Sequence, residues 1–331
     1  MKLDTTIIEG SGDKPAVVFI HGLGMDQRIW VSPQESRLLG GRVPVSLLVS
    51  EKPERLDTNE QAEGRGFSFG TPPENLTTLF HDLKERGHTV ITWNQQRPAS
   101  GIRVAVSELR RVTTLYRDFC KSGIILIGHS RGGLIARAYL ASGDDRVRSL
   151  LTLATPHKGS RMALWATYLS PVAALLNQLL FEPEKGTVSY TIKRIAEFLS
   201  SRAVKELLPD ALFFRSLNDK PIEGVRYFSA GGKDPKLFSL YRMVPNGVEE
   251  DGMKPQEVLS FPQVFENVIP ERFLPDEMKN GKGDGLVSLE SSRLPWDHEH
   301  RIFAVNHAGI LFHETVRSEV MNFLERRGLR S

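Results

Sequence analysis

The sequence predicts an α/β protein with a mostly parallel central sheet, helices on both faces and an inserted helical segment, on two observations. Short apolar, β-branched runs recur without polar alternation, as strands buried on both faces do. Between them lie segments with apolar residues at three- and four-residue spacing, and strands alternating with helices imply a parallel sheet.

The first run is Ala16 to Ile20, which stops at His21-Gly22. Thr89 to Trp93, Ile124 to Ile127, Ser149 to Leu153, Val225 to Ser229 and Arg301 to Val305 repeat the pattern. Helical spacing covers Leu76 to Arg86, Ile102 to Lys121, Leu134 to Ala141 and Glu314 to Arg326, each bounded by Gly or polar residues. In open sheets of this kind ligands gather at the carboxyl ends of the strands. His21, Ser130, Thr155 and His307 all fall just past a predicted strand end.

At 331 residues the chain can bury a large sheet-centred core. It reads as a single domain, 1–331, with insertions at about 42–75 (a polar, Gly-rich loop), 161–217 (helical and apolar) and 233–283 (irregular and Pro-punctuated). Loops that long are usually functional or mobile. Forty-three basic against forty acidic residues leave a net charge of +3, with no basic stripe, so nucleic-acid binding is not expected. The single cysteine, Cys120, has no partner for a bridge, and the first apolar run is too short and too late for an export signal, so a cytoplasmic location is expected. Met162 to Phe181 carries no charge over twenty residues, the length of a membrane span. Thr167, Tyr168, Ser170, Asn177 and Gln178 dilute it, and Ser170-Pro171 reads as a cap that splits it into two short helices.

Gly128-His129-Ser130-Arg131-Gly132 follows a predicted strand and opens a predicted helix. A serine hydroxyl is a poor nucleophile until its geometry exposes it and a base lies within reach. The glycines Gly128 and Gly132 allow a sharp strand-to-helix elbow with Ser130 at its apex. The Arg131 N–H, at the helix N-terminus, suits one oxyanion donor, and Leu23 N–H in His21-Gly22-Leu23-Gly24 suits the other. Of nine histidines, His307 directly follows the last strand, precedes the last helix and comes after both candidate acids, so it is the expected base. His298 and His300 precede that strand and read as a solvated turn at its opposite end; His157 and His313 read as structural or rim residues.

Two carboxylates compete for the acid. Asp234 lies directly after the strand ending near Ser229, whereas Asp284 sits between two glycines in Gly283-Asp284-Gly285-Leu286-Val287. The tight turn that those glycines permit favours Asp284, with Asp234 left open. The acid would orient His307 and stabilise its imidazolium while the other ring nitrogen takes the Ser130 proton.

Together with Thr155-Pro156-His157-Lys158-Gly159-Ser160, these segments resemble the α/β-hydrolase superfamily, specifically bacterial triacylglycerol lipases and deacylases that remodel glycosylphosphatidylinositol anchors. The likeness covers about residues 14–30, 89–160 and 283–326. It implies an α/β-hydrolase fold, an acid at the aspartate of Asp-Gly-Leu-Val (Asp284), and a helical lid after the Thr-Pro-His segment, where 161–217 lies. The apolar first half of that segment suits a cover over an acyl cleft and a transient contact with a lipid surface. Many exported lipases hold calcium through an aspartate just after the catalytic histidine. Here Ala308-Gly309 follow, so neither a metal nor a cofactor is expected, and an intracellular ester substrate is. Acyl transfer or thioester hydrolysis could use the same triad, and a lipid-binding protein without turnover is the alternative outside catalysis.

Overall fold

The computed structural model describes residues 3–38, 43–53, 68–162, 201–245, 253–263, 265 and 269–326. Its centre is a seven-stranded sheet of β1 (Thr5–Ile8), β2 (Ala16–Ile20), β3 (Val90–Trp93), β4 (Ile124–His129), β5 (Val147–Leu153), β6 (Arg226–Gly232) and β7 (Glu299–Phe303), in the order β1-β3-β2-β4-β5-β6-β7. Every neighbouring pair runs parallel except β1 and β3, paired antiparallel from Thr5 opposite Trp93 to Ile8 opposite Val90.

Alternate residues of the central strands feed two apolar layers. Val18, Ile20, Leu126 and Leu150 pack under α2 (Ile102–Leu115) and α3 (Arg131–Ala141), through Leu109, Val112, Leu134 and Ile135. Val17, Phe19, Ile127 and Leu151 pack under α1 (Leu79–Glu85) and α4 (Glu314–Glu325), through Phe80, Leu83, Val316 and Val320. Because both faces are covered, the strands have no polar face to show, which is why they read as continuous apolar runs.

Three features differ from the sequence expectation. β1 was not expected: Thr5-Thr6-Ile7-Ile8 is half-buried at an edge, and four residues with two threonines give no long apolar run. The segment read as irregular holds an antiparallel hairpin, Phe238–Pro245 against Met253–Phe261, with Ser68–Phe69 added beside its first strand. A register shift between Leu240 and Tyr241 breaks its period-two alternation, and Pro255 interrupts the second strand, so the strand pattern is weak. Third, β7 begins at Glu299, so His300 lies in the strand and not in a solvated turn. His298 Nε2 and His300 Nδ1 both lie 2.6 Å from the buried Ser229 Oγ, and both rings are half-buried.

Of the segment 161–217, only 161–162 and 201–217 are among the described residues, so the lid expectation and the uncharged run beyond Met162 lie largely outside them. Within the described part, Arg202–Lys205 and Leu212–Ser216 are short helices, and Leu207 and Phe213 join the layer under α2 and α3. Among the described residues no helix is long and apolar enough to cross a membrane.

α3 is tied to the loop before β6 by a buried ion pair: Arg137 grips the Asp219 carboxylate two-handed, with Nη2 to Oδ1 at 2.8 Å, the two side chains 7% and 6% exposed. The same guanidinium lies 5.3 Å over the Trp296 ring and donates to the His157 carbonyl. Removing one partner strands a buried charge, so Asp219→Ala should lower unfolding free energy by about 3 to 5 kcal/mol. The double variant Arg137→Met with Asp219→Leu should recover most of that loss in urea titrations. Equal losses in both proteins would contradict a stranded-charge origin.

Candidate active site

Ser130 sits where β4 ends and α3 begins, with φ 54° and ψ −127°, in a region that side chains other than glycine rarely occupy. The geometry persists because neighbouring backbones close around it. Ser130 N–H donates to Leu153 O at 2.8 Å, and Gly133 N–H to Ser130 O at 3.0 Å. A Cβ on Gly132 would collide with the Ile20 carbonyl, and one on Gly133 with the Thr155 hydroxyl. These two glycines therefore let the helix start press against β2 and the segment after β5. The Ser130 side chain makes no capping bond to the helix, so its hydroxyl is not spent on the backbone.

The candidate acid and base come from separate turns. His307 lies four residues after the end of β7, and its Nδ1 is 3.0 Å from Asp284 Oδ2, with the residues 4% and 1% exposed. Asp284 Oδ1 accepts from Leu286 N–H at 3.0 Å and Val287 N–H at 2.7 Å, which fixes the carboxylate and satisfies a group that burial would otherwise penalise. A backbone bond from His307 N–H to Asp284 O at 2.9 Å joins the two turns a second time. Asp234, the rival acid, is occupied elsewhere: its Oδ1 accepts from Lys236 N–H at 3.0 Å and closes its own turn.

His129, next to Ser130 in the chain, meets His307. Its Nε2 is 2.9 Å from the His307 carbonyl oxygen, and the two rings lie 4.8 Å apart. The His21-Gly22-Leu23-Gly24 loop closes over the same point, since a Cβ on Gly22 would sit 3.1 Å from Ser130 Cβ. The structure thus pairs Asp284 with His307, sets His129, the neighbour of Ser130, against the His307 backbone and ring, and lays the Gly22 loop beside Ser130. Arg131 adds something the sequence reading did not foresee: its guanidinium is buried, which lowers its pKa to about 10.

Several supporting residues were missed. Asn306 holds the loop that carries His307: its Nδ2 donates to Leu48 O and Lys236 O at 2.7 Å each, and its Oδ1 accepts from Ala308 and Gly309 N–H. Ser160 Oγ donates to Leu286 O at 2.7 Å, and His157 N–H donates to Ser291 O at 2.7 Å. The Thr155–Ser160 segment therefore braces the Asp284 turn. His157 is structural, buried with Nε2 3.0 Å from Thr152 Oγ1, whereas His313 is an exposed residue at the start of α4.

A family model described as the PGAP1-like alpha/beta domain matches residues 103–196. No curated protein sequence matches the chain. Among solved structures, the Bacillus licheniformis lipase BlEst2 in its mature form is similar at TM-score 0.50 and 18% identity, covering 97% of each chain. Its propeptide form gives TM-score 0.53 and 17% identity over 98% of this chain and 54% of that one. At these identities the likeness is one of fold, and that fold is the α/β-hydrolase fold.

Burial also sets a pH dependence. His21 is held at about 4, below the usual histidine value near 6.5, by burial, and burial likewise pushes His129 and His157 well below that value. The unfolded chain takes up protons below pH 6.5 that the folded state refuses, so stability is complete above that pH and falls as pH drops toward 4. His21 alone should account for roughly 3 kcal/mol of that loss. Urea titrations at pH 7.0, 5.5 and 4.5 should show falling midpoints; a flat series would contradict neutral, buried imidazoles.

Proposed function

We propose that this chain, an α/β-hydrolase by fold, is a cofactor-independent serine hydrolase of carboxylic esters. The observation that carries this reading is the buried Asp284–His307 pair set beside a serine in strained elbow geometry. Each part has a chemical reason. The Asp284 carboxylate holds His307 Nδ1, which leaves Nε2 as the acceptor for the Ser130 proton. Ser130 Oγ then attacks the acyl carbonyl carbon, and the C=O π pair moves onto oxygen. The Leu23 and Arg131 N–H groups would receive that oxyanion, and the imidazolium returns its proton to the departing alcohol. Water, deprotonated in turn by His307, attacks the acyl-enzyme and releases the acid, restoring the serine.

The substrate class is a small-molecule acyl ester, in keeping with the lipase whose fold the chain shares. The family match, to a PGAP1-like alpha/beta domain over residues 103–196, spans the elbow. Asp284 is the acid in this reading and not Asp234, because only the former is bonded to the histidine.

Ser130→Ala should abolish hydrolysis of p-nitrophenyl butyrate, by about 10⁴-fold or more, without lowering the melting temperature. Unchanged turnover would remove Ser130 from the mechanism. Asp284→Asn should cost about 10³- to 10⁴-fold in kcat, since the wrong histidine tautomer is then held, while Asp234→Asn stays within a few-fold of the parent. The reverse ranking would transfer the acid's role to Asp234.

A further inference from the structure

The two N–H groups assigned to the oxyanion belong to chain segments far apart in sequence, and something must set the distance between them. Leu23 N–H shares its peptide unit with the Gly22 carbonyl. A trans peptide is planar, with C=O and N–H pointing opposite ways, so holding the oxygen aims the hydrogen. That oxygen is held: His21 Nδ1 is 2.9 Å from Gly22 O. The ring is held in turn, because its Nε2 accepts from Gln95 N–H at 3.3 Å, which leaves the ring proton on Nδ1 to be donated to the carbonyl. Gln95 then reaches both ways with its amide. Nε2 donates to His21 O at 3.1 Å, and Oε1 accepts from Arg131 Nη1 at 2.8 Å. Arg131 is itself the residue whose backbone carries the second donor.

His21, Gln95 and Arg131 are 2%, 7% and 1% exposed, and burying three polar side chains is costly unless their bonds are made. We propose that Gln95 is a positioning residue that fixes the spacing between the Leu23 and Arg131 N–H donors, by clamping the His21 loop to the Arg131 side chain. The inference rests on the serine-hydrolase reading above. Glutamine suits the task because one face of its amide must meet a carbonyl and the other a guanidinium. Leucine would remove the partner of the His21 carbonyl and of Arg131 Nη1, leaving the guanidinium only its bond from Nη2 to Ser100 O, and glutamate would turn lone pairs toward the His21 carbonyl. A neutral His21 is also required, since an imidazolium would set N–H against the Gln95 N–H; burial keeps its pKa at about 4.

The test compares the parent protein, Gln95→Leu and Gln95→Glu in p-nitrophenyl butyrate kinetics, in inhibition by an alkylboronic acid that mimics the tetrahedral adduct, and in thermal melts. Gln95→Leu should lose about 10- to 100-fold in kcat, less than deleting a donor outright, with KM within about twofold and boronate affinity falling by the same factor as kcat. Should that variant fail to fold, Gln95→Glu, which keeps its acceptor for Arg131, serves in its place with an expected loss of about 5- to 20-fold. A lowered melting temperature with unchanged kcat and unchanged boronate affinity would reduce Gln95 to packing and overturn the proposal. A parent protein without ester turnover would overturn it together with the hydrolase reading, whereas an active parent matched by Gln95→Leu would overturn it alone.

Discussion

Everything at the candidate site depends on one close approach of backbones. The start of α3 lies against the ends of β2 and β5 so tightly that the Gly132 and Gly133 positions admit no side chain. That contact forces Ser130 into its unusual backbone geometry and holds it there, with the Leu153 carbonyl gripping its N–H. The residue after β5, Ala154, shows the same stress at φ 49°. Strain of this size, about 1 to 3 kcal/mol per residue, persists only where the surroundings over-determine it. Here the surroundings are the two apolar layers that cover the faces of the sheet.

The remaining parts are placed by bonds between loops, not by strands alone. The Thr155–Ser160 segment braces the Asp284 turn through Ser160 and Ser291, and Asn306 anchors the turn of His307 to Leu48 and Lys236. Ser160, Ser291 and Asn306, side chains ordinary on a surface, each bond here to backbone groups of another loop, which offsets the cost of taking them out of water.

What could be read in advance follows from this division. The five buried strands β2 to β6, the four main helices and the elbow were legible because each is demanded locally: two-faced burial writes a continuous apolar run, and a forbidden Cβ writes a glycine at a set spacing. Asp284 over Asp234 was legible only as a preference, since both lie between Ser130 and His307 in the chain, and the difference is which one meets His307. Gln95 left no mark, because its side-chain partners His21 and Arg131 are 74 and 36 positions away, and the anchoring role of Asn306 was hidden because Leu48 and Lys236 lie 258 and 70 positions from it. The hairpin Phe238–Pro245 with Met253–Phe261 was hidden by its own register shift. His298 and His300 looked solvated because Ser229, which both contact, lies about seventy positions earlier.

The order of the sheet has one more consequence. β7 is the outermost strand, held by a ladder on one side only, and His307 rides on the loop that follows it. The serine, by contrast, stands on β4 at the centre. Edges open at lower free energy than centres do. Heat or denaturant would therefore part His307 from the elbow by lifting the border away before the middle yields. Equally, a growing chain on the ribosome would carry a finished elbow but lack His307 beside it until its last strand emerged and docked.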